Sequence, residues 1–235
     1  ADTPANTTIL GAGKLTGHPP GGWSVGLLEA ATAREYATVD SSGVRFADEV
    51  EPFTNYLVAR GRRDMRRGAS QVGFIYTSVH RDLNDARLTF LRSAAYVGGV
   101  DFSHRFRQNR YRVAGSFAYS YIRGDTAAIN RAQRNPARYY QRPDADYVDF
   151  DSTRTSLTGW TASFSLGKEA GRNQFGVFAD AISPGFELND AGFLTGADRG
   201  RLSAFVNRRW TRPGKVFRNA FAGNYAGVDL DFGGA

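Results

Sequence analysis

The chain has 235 residues, no cysteine, and 30 basic against 23 acidic residues, giving a formal net charge of +7. Without cysteine there is no disulfide framework and no thiolate metal site, and no stretch reaches the roughly 18 uninterrupted apolar residues of a membrane-spanning helix. A mean hydropathy of −0.42 still leaves strand-built membrane proteins open, because half of each barrel strand faces water. Lys14, Lys168 and Lys215 are the only lysines, so the positive charge is nearly all arginine, whose planar fork suits phosphate and carboxylate. The basic residues form no polybasic block and no recognition helix. Nucleic acid therefore ranks below lipopolysaccharide phosphates and pore-lining anion sites as the expected partner.

The opening residues, ADTPANTTILGAG, lack the charged-then-apolar pattern of a signal peptide. From there, period-two alternation and turn residues predict ten strands, at about 7–16, 23–38, 53–63, 70–80, 91–106, 111–122, 156–167, 173–183, 198–210 and 217–232. The first contains GAGKLTG, which lacks phosphate-loop spacing and reads as strand. Alternation is weak in 23–38 and 70–80. It is clear in 91–106, where Ala94, Tyr96, Gly98, Val100 and Phe102 oppose Ala95, Val97, Gly99, Asp101 and Ser103. Strand 111–122 is the plainest: Tyr111, Val113, Gly115, Phe117, Tyr119 and Tyr121 form an apolar face framed by tyrosine at each end. That arrangement suits a lipid-facing surface with aromatic girdles. In 156–167, Trp160, Ala162, Phe164 and Leu166 oppose Gly159, Thr161, Ser163 and Ser165. In 198–210, Leu202, Ala204 and Val206 oppose Arg201, Ser203, Asn207 and Arg209, with Phe205 among the polar set.

The connections alternate in length. Those at 18–22, 64–69, 107–110, 168–172 and 211–216 are short, whereas 39–52, 81–90, 123–155 and 184–197 are long. An antiparallel meander with all its long connections at one end matches bacterial outer-membrane barrels, with short periplasmic turns and long external loops. We therefore expect an all-β fold, an antiparallel transmembrane β-barrel forming one domain over 1–235. Both chain ends are expected at the cell surface, as in an interior piece of a larger barrel. A soluble lectin-like sandwich is the alternative fold.

Several blocks carry a resemblance: ILGAGKLTG (9–17), GWSVGLL (22–28), FTNYLVAR (53–60), AYVGGVDFSHRF (95–106), ARYYQRPDADY (137–147), SLGKEAG (165–171), SPGFELNDAGFLTGAD (183–198) and RWTRPGKVF (209–217). Together they resemble large bacterial outer-membrane β-barrel proteins that carry an N-terminal domain similar to family-9 carbohydrate-binding modules. SPGFELNDAGF is the most specific block. The resemblance implies a bacterial outer-membrane location, barrel architecture and a link to glycans rather than a particular reaction. The implied role is a pore or surface-receptor component.

No catalytic constellation is visible. His18, His80 and His104 are scattered without metal or nucleophile spacing, and His80 with Asp82 reads as a polar pair at the rim rather than a catalytic one. A hydrolase with a rim active site is the second functional reading. DADYVDFD is too sparse in oxygen ligands for a calcium loop, and no metal or cofactor is expected. Connection 123–155 is where function would sit. TAAINRAQR (126–134) predicts a short helix capped by Asp125 or Thr126 and stopped at Asn135-Pro136. Beyond it, Tyr139, Tyr140, Arg142, Asp144, Asp146 and Tyr147 are the candidate ligand-binding residues, flat aromatics beside hydrogen-bonding groups that suit sugar rings. The competing reading is that the loop folds inward and these residues pack as a plug. Connection 184–197 reads as a compact structural cap anchored by Phe186 and Phe193.

Overall fold

The computed structural model describes residues 2–234 and is all-β apart from one α-helix and one 3-10 turn. Its main sheet runs β1 (Ile9–Gly17), β2 (Trp23–Thr32), β5 (Phe53–Met65), β6 (Ser70–Asp82), β7 (Arg92–Phe106), β8 (Tyr111–Gly124), β9 (Ser156–Lys168), β10 (Asn173–Ile182), β11 (Arg199–Trp210) and β12 (Ala220–Leu230), in that spatial order. Every neighbouring pair is antiparallel. A sandwich would need two sheets face to face, and these ten strands make one sheet. β1 and β12 are its edges and do not pair with each other.

One part of the sequence reading is corrected. The stretch 23–38 is not one strand: β2 ends at Thr32, and the following connection holds a separate hairpin of β3 (Glu35–Ser41) and β4 (Val44–Glu51). Ser42 and Gly43, both with positive φ (53° and 82°), make its tight turn. Arg34 breaks the strand because its guanidinium reaches sideways, to Glu49 at 2.8 Å and to Asp82. The stretch 23–38 thus spans the end of one strand and the start of another, which differ in phase. The connection between β11 and β12 is also longer than expected, running over 211–219.

The cross-strand register sorts the side chains onto two faces. On the outer face Phe74 stands opposite Val100, Val100 opposite Phe117, and Phe117 opposite Ala162. Farther along, Phe164 opposes Ala179, Ala179 opposes Leu202, and Leu202 opposes Val228. These large apolar groups are exposed: Val100 at 59%, Phe117 at 46%, Phe164 at 47%. The inner face is mixed and charged. Arg60 of β5 reaches across β6 to Asp101 of β7 at 2.5 Å, and Arg201 of β11 pairs with Asp229 of β12.

Burial is concentrated at one end of the inner face, because the longest connection folds onto it. Helix α1 (Thr126–Gln133) starts where the Asp125 carboxylate accepts the Ala127 N–H at 3.0 Å, satisfying one orphan donor of the first turn. Its apolar side, Ile129 and Ala132, packs on Val79, Ala95, Ile122 and Leu157 from four adjacent strands, with Tyr140 closing the cluster. The second long connection, 183–198, lies over β9. A Cβ on Gly159 would sit 2.0 Å from the Phe186 nitrogen, and one on Gly185 would sit 2.0 Å from the Thr158 carbonyl oxygen. Only glycine allows two backbones this close. Gly159→Val is therefore expected to lift 183–198 off the sheet while β9 itself still forms. Limited proteolysis should cut that connection in the variant and spare it in the parent protein.

Candidate functional site

Both long connections meet above the inner face and are tied together by buried ion pairs. The central one is Arg138, whose side chain is fully buried. Its Nε donates to the Pro184 carbonyl (3.1 Å), Nη1 to Ala132 (2.8 Å) and Nη2 to Phe186 (2.7 Å), while Glu187 lies at 2.9 Å. One guanidinium thus closes the end of α1 and fixes the turn of 183–198. Glu187 is equally buried, and Arg92 approaches it at 3.6 Å. Burial is the largest influence on its carboxyl and pushes it up. The guanidiniums of Arg92 and Arg138 and the Asn189 N–H outweigh it, leaving Glu187 below the usual carboxylate range. Beside it, Asp190 accepts from Arg81 at 2.7 Å and from Arg92.

The second tie is centred on Arg142. Its Nη2 donates to Asp198 (2.6 Å) and Asp231 (3.0 Å) and also meets the Tyr147 hydroxyl. Tyr147 in turn donates to Asp198 at 2.6 Å. Burial, then the hydrogen bond to Asp198, pushes the Tyr147 phenol above its ordinary value. The cluster joins 137–150 to the start of β11 and the end of β12.

These positions decide what the six candidate residues can do as folded. Arg142 and Tyr147 are brought together, but their polar groups face each other and two carboxylates. Tyr140 is buried in the cluster on α1, at 7% exposure, and offers no ring face to a ligand. Tyr139 is exposed, at a positive φ of 46°. Asp144 is exposed and 3.5 Å from Arg142, and Asp146 is exposed. The connection is packed onto one face of the sheet in this structure, with Tyr139, Asp144 and Asp146 on its solvent side.

The histidines do not come together either. The His80 ring lies edge-on to Tyr96 at 5.2 Å, while Asp82 pairs with Arg34. His18 is hydrogen-bonded to Ser24 (3.1 Å) and His104 to Ser70 (2.8 Å), both at the short-turn end. Neither ring is hydrogen-bonded to a carboxylate among the described residues, so neither has the third group that orients a catalytic base.

Sequence reasoning passed over Arg81, Arg92, Arg138, Glu187 and Asp190. The available signal was slight: two acids inside SPGFELNDAGF, an otherwise apolar and glycine-rich connection. Beside this cluster lies a cavity of about 280 Å³ between 83–91, α1 and 183–198, lined by Arg81, Arg92, Arg131, Phe90, Asn135 and Asp190 among others. A second, of about 390 Å³, lies on the bare half of the inner face around Asp101, Ser103, Arg112, Ser116 and Asp180.

No curated protein and no solved structure matches the chain. A family model does, over residues 1–231, and it accounts for nearly every strand described above. The chain belongs to the family defined by the domain of unknown function DUF5916.

Proposed function

We propose that this chain is part of a bacterial outer-membrane β-barrel that works as a plugged surface receptor or gated uptake component, with glycans as the class of solute handled at its outer mouth. The observation that carries the reading is the division of the sheet. Large apolar and aromatic side chains stand exposed on the outer face, while charged pairs and the folded connections occupy the inner one. A monomeric soluble protein rarely leaves more than a few hundred Å² of contiguous apolar surface to water, and here Phe74, Val100, Phe117, Phe164 and Leu202 stand exposed on one face from β6 to β11. In a bilayer the same face is solvated by lipid, and the inner charges lie in a water-filled or plugged lumen.

Three further features support it. The sheet strands run from 9 to 15 residues, longer than the five or six usual in globular sheets and suited to tilted spans. Arginines lie over aromatic rings at the short-turn end, at Trp23, Tyr111 and Trp210, as suits a headgroup boundary. The free edges of β1 and β12 are rows of donors and acceptors that hydrocarbon cannot satisfy, so in the membrane they pair with other strands. The inward fold of 125–155 favours a plugged state over an open pore.

Orientation supplies the test. In the full-length protein on intact cells, Ser152→Cys and Phe193→Cys are expected to react with a membrane-impermeant thiol reagent, and Gln108→Cys and Arg172→Cys only after lysis. Labelling of Gln108→Cys and Arg172→Cys on intact cells, with Ser152→Cys and Phe193→Cys silent, would invert the orientation. Recovery of the protein in the soluble fraction would remove the membrane reading.

A further inference from the structure

The cavity between 83–91, α1 and 183–198 has an unbalanced charge. Arg81, Arg92 and Arg131 line it with one carboxylate, Asp190, and behind them lies the buried Arg138–Glu187 pair. Arg138 is spent on three backbone carbonyls and Glu187. Asp190 is shared between Arg81 and Arg92, and each of these guanidiniums gives it only Nη1. Their Nε and Nη2 groups donate to no other protein atom among the described residues. Arg131 has no carboxylate within ion-pair distance among the described residues; it lies over the Phe90 ring, 5.4 Å from its centroid.

Such an arrangement is more than a solvated basic patch. Asp190 holds two guanidiniums side by side, with the Arg81 and Arg92 side chains only 14% and 20% exposed, so their geometry is set before anything binds. The Asn135 carboxamide oxygen is taken by the Ala137 N–H at 2.9 Å, leaving its amide nitrogen as a further donor. Phe90, under Arg131, and Leu91 are the larger apolar groups of the lining, with the buried Ala128 and Ala132 behind. At about 280 Å³ the space lies just below the usual range of small-molecule sites, about 300–1,000 Å³, and fits one sugar ring rather than a chain.

We propose that this cavity binds a small solute that carries an oxyanion on a sugar-sized body, with Arg81, Arg92 and Arg131 gripping the carboxylate or phosphate and the Phe90–Leu91 edge of the cavity beside the ring. Arginine forks match both anions bidentately. The site is separate from Tyr139–Tyr147, and its ligand class is argued from its lining alone, so it stands whether or not the chain is membrane-embedded.

Isothermal titration of the full-length protein in detergent tests it, with galacturonate, glucose 6-phosphate, glucose and inorganic phosphate as probes. At least one of the two acidic sugars is expected to bind and glucose not to. The Arg131 side chain makes no hydrogen bond to the described residues, so Arg131→Gln should fold normally and weaken that binding by about tenfold to a hundredfold, the effect of losing a charge-assisted contact. Arg134→Gln, whose guanidinium lies over Phe150 outside the cavity, should leave it unchanged. Binding by neither acidic sugar, equal binding by glucose, or equal loss in Arg131→Gln and Arg134→Gln would overturn the proposal. Displacement by inorganic phosphate at the same concentration as the acidic sugar would overturn the sugar-sized body.

Discussion

Phe117→Arg and Tyr119→Arg are each expected to lower accumulation of folded protein in the outer membrane sharply, and the double variant to abolish it, while Ser116→Arg, one residue away from Phe117, leaves it largely intact. Phe117 and Tyr119 stand on the outer face, at 46% and 47% exposure, in mid-strand β8 and flanked by Val100 and Trp160 from the neighbouring strands. In the proposed membrane-embedded barrel a guanidinium there would enter hydrocarbon, at a cost of about 2–4 kcal/mol near the bilayer midplane. That is a large share of the roughly 5–15 kcal/mol that typically stabilises a folded protein. Ser116 faces inward, hydrogen-bonded to Ser163 at 2.7 Å and lining the cavity with Asp101 and Asp180. An arginine at that position finds water and carboxylates. The measurement is heat-modifiable migration of the membrane fraction. Equal tolerance of arginine at 116, 117 and 119 would remove the face assignment, and with it the proposed membrane location.

Arg138→Met is expected to release the plug. Breaking a buried ion pair from one side costs about 3–5 kcal/mol, because the remaining charge is stranded. Here Glu187 would keep only Arg92, at 3.6 Å, and the Asn189 N–H. The carbonyls of Pro184 and Phe186 would also lose the guanidinium, while Ala132 keeps the Asn135 N–H, so Arg138→Met combined with Glu187→Met should recover only part of the loss. Hydrogen exchange at 125–155 and 183–198 reads the result directly. Full recovery in the double variant would mean that the carbonyl bonds contribute nothing.

The same pair sets a pH dependence. The folded-state pKa of Glu187 is depressed below the ordinary 4.5, so the unfolded connection binds its proton more readily than the folded one. Its contribution is complete above pH 4.5 and fades as pH falls through the depressed folded value. Protection of 183–198 should therefore be level from neutral pH down to about 4.5 and decline below it. In Glu187→Gln it should be lower at neutral pH and lack that decline, so that the two proteins converge in acid.

The ten strands of the sheet and their two faces were legible without coordinates, since side-chain alternation is a local property of extended chain. Residues 111–122 show this: the register of β8 against β7 and β9 keeps Phe117 and Tyr119 on the face their spacing predicts. The helix was legible for the same reason, because Asp125 and Asn135-Pro136 are cap and stop within the segment itself. Alternation failed first at Arg34, where a side chain that bonds Glu49 and Asp82 turns the chain out of the sheet. Spacing alone could not reveal partners that lie so far along the chain.

The candidate site lies wholly on that non-local side. Tyr139 and Tyr140 are neighbours in sequence, yet one is exposed and the other buried, and only the docking of α1 on Val79, Ile122 and Leu157 separates them. Arg138 meets Glu187, and Arg81 and Arg92 meet Asp190, across connections that belong to different strands. The sequence by itself determined the strands of the sheet and their two faces, though not every strand end, because alternation follows from each residue's immediate neighbours. Which way the long connections fold, which charges they bury and what cavity remains between them were decided by tertiary packing, because a buried arginine is stable only where distant carbonyls and carboxylates converge on it.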